Sequence, residues 1–182
     1  MHVLGWNDME VTTISENAVK IRGKYTALAI NPSDIKTKIA VSSALFFNRL
    51  HNTLSAKSFE EEPLVIQGPG DYAVGGVKVF GSKAGESFTY KITIDGISIL
   101  AAKTSFLTKA KESVTEYDIL ILESDSIADQ SVLTALNSKV IVFYGEQKAE
   151  NIKAMGKETP AVSKYSVTKE KLPTETQVII LQ

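Results

Sequence analysis

The chain has 182 residues, 43% of them hydrophobic and 23% charged, with a formal net charge of -1 and no cysteine. That profile suits one globular domain with a full core, and it excludes disulfides, thiolate metal sites and cysteine nucleophiles. A near-neutral charge argues against nucleic acid or an anionic membrane as partner, and no apolar run reaches the ~18 residues a membrane helix needs.

Residues 1–8 are too short and too mixed for a secretory signal. They read as an N-terminal extension, with one domain over residues 9–182 and the cytoplasm as the expected compartment. Residues 11–14 and 18–21 predict two strands around the turn Ser15-Glu16-Asn17. A third strand, 26–30, stops at Asn31-Pro32, because proline lacks a donor and restricts the residue before it. Residues 38–42 predict another short strand. In 44–54 the spacing of Leu45, Phe46, Leu50 and Leu54 predicts a short helix or helical loop.

The middle of the chain is β-rich. Residues 64–67 and 72–80 predict strands, the second interrupted at Gly75-Gly76 by a tight turn or bulge. A further turn is expected over 81–86. Residues 89–94 and 97–102 form a hairpin around Asp95-Gly96. Then the character changes. Helices are predicted over 106–117, 127–136 and 147–155, alternating with buried strands at 118–122 and 139–144, and a last strand spans 176–181. Covering two packed sheets with helices gives a layered α/β or α+β domain.

Histidine decides much of the chemistry. The chain has two, His2 and His51, far apart in sequence. Catalytic zinc sites usually gather two or three. The glycines from Gly68 to Gly76 lack a following helix and a Gly-Lys-Ser/Thr ending, so they read as turns and not a phosphate loop. No Gly-x-Ser-x-Gly elbow supports a serine triad. Asp118, Glu123, Asp125 and Asp129 crowd one strand end. Capping of the helix from Ile127 by Asp125 or Ser126 is the expected role there, ahead of a hard-cation site.

Several segments together resemble the metallo-β-lactamase superfamily, in its small single-domain bacterial branch. The opening strand pair is followed by Ala29-Ile30-Asn31-Pro32 where that branch has Ile-Asp-Pro. Gly68-Pro69-Gly70-Asp71-Tyr72-Ala73-Val74-Gly75-Gly76-Val77 is similar to its Gly-Pro-Gly-Glu-Tyr-Glu-Val-x-Gly-Val stretch, and residues 171–181 resemble its C-terminal strand. The resemblance implies a four-layer αββα sandwich. It also implies a His-x-His-x-Asp-His ligand set that gathers one or two metal ions and lowers the pKa of a bound water.

Here Ala44 and Phe46 stand at the first two histidines, Asn48 at the aspartate and Arg49 at the last histidine. Ala101 and Thr104 fall where a later histidine and acidic residue belong, and Tyr144 where a late strand leads to the last histidine. The expectation is a protein without metal or other cofactor and without a catalytic centre: a scaffold or binding protein. A hydrolase of esters, lactones or phosphodiesters with an altered site is the alternative. Phe46 and Phe47 predict a filled former site. Plain core packing is the bland reading, and a small pocket rimmed by Arg49, Lys103 and Tyr144 the functional one. Homo-oligomerisation is the expected partnership, since such sandwiches expose sheet edges.

Overall fold

A computed structural model describes residues 8–33, 35–49, 56–110 and 116–182. Residues 1–7 of the expected extension, both histidines, and parts of the helices expected over 44–54 and 106–117 lie outside the described residues.

Two mixed sheets face each other. The smaller begins with β1 (Met9–Ser15), β2 (Ala18–Arg22) and β3 (Ala27–Ile30), paired antiparallel. β4 (Ser43–Leu45) and β5 (Leu64–Ile66) extend it in parallel. The chain then crosses to the larger sheet at Gly68. A side chain on Gly81 would stand 2.3 Å from the Gly68 carbonyl oxygen, so only glycine lets the crossing backbone come this close.

The larger sheet opens as a meander of β6 (Gly70–Val74), β7 (Val77–Ala84), β8 (Ser87–Ile94) and β9 (Ile97–Lys103). It continues in parallel through β10 (Ile119–Glu123) and β11 (Val140–Tyr144). Helix α1 (Leu107–Ala110) precedes β10, α2 (Gln130–Leu136) links β10 to β11, and α3 (Lys148–Ala154) follows β11. The chain closes with β12 (Ala161–Val162), β13 (Lys164–Val167) and β14 (Gln177–Leu181). β13 returns to the smaller sheet beside β1, while β14 and β12 complete the larger one beside β11.

Period-two alternation separates two cores. Ile119, Ile121, Val140, Val142 and Tyr144 join Val11, Ile21, Leu28 and Leu45 between the sheets. The alternate residues Leu120, Leu122, Ile141 and Phe143 pack under the helices with Val132, Leu133 and Ile152. That double burial is why β10 and β11 read as unbroken apolar runs. Over the smaller sheet, a third cluster of Ala29, Val41 and Phe59 is covered by loop residues such as Ile35 and Ile39. The molecule is an α+β sandwich. Among the described residues its helices lie on the larger sheet, and the cover of the smaller sheet is loop with one 3-10 turn, Ala56–Ser58.

Three local expectations are corrected. The strand expected over 38–42 is shifted: Ile39 makes an isolated bridge to Phe59, and the ladder on β3 starts at Ser43, opposite Leu28. The helix expected from residue 44 gives way to strand through Leu45, because β3 and β5 flank that segment and supply its hydrogen bonds. The helix expected from Ile127 begins at Gln130. Its cap is Asp129, whose carboxylate accepts from the Ser131 N–H at 2.8 Å.

Candidate functional site

The parallel strands β9, β10 and β11 end in register. Lys103 stands beside Glu123, and Glu123 beside Tyr144. All three fall on the alternation that faces the space between the sheets, as do Ala101, Ile121 and Val142 one step earlier. A row of Lys, Glu and Tyr therefore replaces the apolar residues at this end of the sandwich.

Glu123 is 6% exposed and Tyr144 fully buried. The Glu123 Oε2 and the Tyr144 hydroxyl are both buried without a hydrogen-bond partner. Burial pushes the Glu123 carboxyl up from 4.5 to about 7, against the lowering pull of the Lys103 ammonium and with a smaller push from Asp125. Burial, with the Glu123 charge beside it, also drives the Tyr144 phenol well above its ordinary value. Gly145 closes the row at φ +93. A side chain there would press on the Ser124 N–H at 3.2 Å and the Asn17 Oδ1 at 3.3 Å.

Beside the row, Asp125 ties two loops together. Its Oδ1 accepts from the Ser105 N–H at 3.0 Å and the Thr104 hydroxyl at 2.9 Å, and its Oδ2 from the Ser105 hydroxyl at 2.5 Å. Burial alone would raise this carboxyl. The hydrogen bonds from Ser105 and Thr104, with the Lys103 charge, outweigh it and hold Asp125 below the usual range. The Thr104 hydroxyl oxygen also accepts from the Ser126 N–H at 3.1 Å.

The loop after β4 reaches the same end. Phe46 and Phe47 are buried, and Phe47 packs in the inter-sheet core at 6.5 Å from the Tyr90 ring. Both backbone carbonyls are used. The Tyr90 hydroxyl donates to the Phe46 carbonyl at 2.6 Å, and the Phe47 carbonyl accepts from the Phe88 N–H at 2.8 Å and the Ser87 hydroxyl at 3.0 Å. The Asn48 amide, in the orientation that suits both its ends, donates to the Glu86 and Phe47 carbonyls at 3.2 Å. Arg49 is exposed.

No family model matches the sequence. No curated protein matches it either. Solved structures do. A protein of Thermotoga maritima described as a Zn-dependent hydrolase of the metallo-β-lactamase superfamily superposes with a TM-score of 0.74 over 95% of this chain and 98% of its own, at 16% identity. The fold is that of the metallo-β-lactamases. A metal-dependent hydrolase of Parabacteroides distasonis (TM-score 0.58, 12% identity, 96% of this chain and 94% of that one) shares it. So does a metallo hydrolase of Ignicoccus hospitalis (0.57, 10%, 88% and 98%). At these identities the likeness is one of fold.

With the metallo-β-lactamase fold in hand, the expected site residues can be placed. Ala44 and Phe46 are buried at and just after the end of β4, while Asn48 and Arg49 lie in the exposed loop beyond. Ala101 is an inward core residue of β9, and Thr104 is bound into the Asp125 network. Tyr144, expected at a rim, lies inside the sandwich. Lys103 is the half-buried member of the row. The structure thus gathers Lys103, Thr104 and Tyr144 at the ends of β9 and β11 and leaves Ala44 in the smaller sheet.

These residues do not fit a metal centre. The Ala44 methyl and Phe46 phenyl offer no lone pair, the Phe46 and Phe47 carbonyls and the Thr104 hydroxyl are already bonded, and the Lys103 ammonium stands beside Glu123. Among the described residues no three His, Cys, Asp or Glu side chains stand together as a metal set. The sequence reading missed the role of Glu123. Its signal was the alternation Ile119, Ile121, Glu123, hidden because β10 is apolar on both faces.

Proposed function

We propose that this chain is a non-catalytic, metal-free relative of the metallo-β-lactamase-fold hydrolases, acting as a scaffold or binding protein. The observation that carries the reading is the closed β4 loop. Where the superfamily resemblance places the first two imidazoles, Ala44 and Phe46 are buried in packing, and the Phe46 carbonyl and that of the adjoining Phe47 are bonded to Tyr90, Ser87 and Phe88. A hydroxide-generating site needs several lone-pair donors converging on one point. This end of the sandwich offers Glu123 with the Lys103 ammonium as its neighbour, and Asp125 with its oxygens bonded to Ser105 and Thr104. The solved relatives with this fold include metallo-hydrolases, so the proposal is one of a fold kept and a chemistry given up.

The test is a panel of ester, lactone and phosphodiester substrates, assayed with purified protein before and after exposure to zinc, iron and manganese. The expected result is turnover no faster than buffer in every arm. Turnover that depends on added metal and disappears in Asn48→Ala or Arg49→Ala protein overturns the reading.

A second reading, hydrolysis by an altered site, has one observation in its favour. Glu123 is a buried carboxyl poised near pH 7 at the strand ends, the range in which a general base works best. Metal-independent turnover that follows a pH profile near 7 and is lost in Glu123→Gln protein selects it.

A further inference from the structure

The free edge of the larger sheet, β6, carries an inference independent of the strand-end site. Among the described residues β6 pairs on one side only. Exposed strand edges are usually blunted by lysine, proline or shortness. The other sheet-edge strands follow that rule: β5 has three residues, β12 two, and β13 carries Lys164. β6 runs for five residues, Gly70-Asp71-Tyr72-Ala73-Val74, with neither lysine nor proline.

Its outer face is also bare. Asp71, Ala73, Lys78 and Phe80 are all exposed, Phe80 at 48% despite its size. Together with Lys91 they line a groove of about 580 Å³. The register fixes their order: Asp71 stands beside Phe80, and Ala73 beside Lys78.

We propose that β6 pairs antiparallel with β6 of a second copy of this chain, joining two eight-stranded sheets across a two-fold axis at Tyr72. The pattern is self-complementary. A continuous sheet keeps each face on its own side, so opposed residues must have the same parity. Centring the axis on Asp71 opposes two aspartates and shortens the overlap. Centring it on Tyr72 pairs all five residues and places Asp71 opposite the small Ala73 of the other copy. Each row then reads Lys78, Ala73, Asp71, Phe80 across the seam. Two strand spacings, about 10 Å between Cα atoms, separate Lys78 from Asp71 of the second copy. Those two side chains reach across the space left by Ala73. The only charge on the edge strand thus becomes half of an isologous ion pair made twice.

Sedimentation equilibrium of the full chain tests this. The wild type is expected to be a dimer over a micromolar range. Asp71→Lys and Lys78→Asp, each made alone, place like charges across the seam and should weaken the dimer at least about tenfold. The double variant Asp71→Lys/Lys78→Asp restores opposite charges and should restore the dimer. Circular dichroism confirms that each variant is folded. A monomeric wild type overturns the proposal. So does a dimer indifferent to both single changes, or a folded double variant that stays monomeric.

Discussion

Glu123 concentrates the unusual physics of this molecule in one side chain. Its carboxyl titrates near 7 in the folded state against an ordinary value of 4.5. The folded state therefore holds the proton more tightly than the unfolded one. This contribution to stability is full below about pH 4.5 and is lost as pH rises toward 7. The pull on Asp118 and Asp125 is opposite: both are lowered, so their contribution is lost only in acid, below the ordinary aspartate range. The two windows do not overlap. Urea titrations between pH 4.5 and 7.5 should show wild-type stability falling by on the order of 2 kcal/mol, with a flatter profile in Glu123→Gln. Matching pH profiles for the two proteins contradict a buried, proton-holding Glu123. Tyr90 gives a second residue-scale prediction. Its buried hydroxyl donates to the Phe46 carbonyl and accepts from the Gly68 N–H. Tyr90→Phe strands both groups and should cost about 1–3 kcal/mol in urea unfolding.

At the scale of elements, legibility followed local pattern. The β1–β2 pair and the Asp95-Gly96 hairpin could be read because periodicity and turn chemistry agree, and β10 and β11 because burial on both faces makes them unbroken apolar runs. The segment after residue 38 could not. Leu45 and Phe46 mimic helical spacing, yet the unsatisfied edge of β3 captures Ser43–Leu45 as a strand. β12 and β13 went unread because they are short and supported by distant partners, β14 and β1. Helix α2 starts later than its apolar pattern because Asp125, the expected cap, is spent on Ser105 and Thr104. Asp129 does the capping instead, so Asp129→Ala should lower the melting free energy by about 1 kcal/mol while Ser126→Ala leaves the helix start unmoved in amide-exchange profiles. Of the strand-end site, the missing histidines were legible from composition alone. The inward row of Lys103, Glu123 and Tyr144 was not, because register between distant strands places it there.

At the scale of the whole molecule, the two-sheet sandwich brings three parallel strand ends and the loop after β4 to one end of the fold. β9, β10 and β11 end together, and the β4 loop meets that end through hydrogen bonds from Phe88 and Ser87 to the Phe47 carbonyl. Phe47 packs at that end, and Lys103 and Glu123 stand side by side there. The most direct measurement is crystallographic: crystals grown with excess zinc, and an anomalous difference map recorded at the zinc edge. The expected map is empty around Phe47, Lys103 and Glu123. A strong peak within bonding distance of Glu123 or Asn48 contradicts the account.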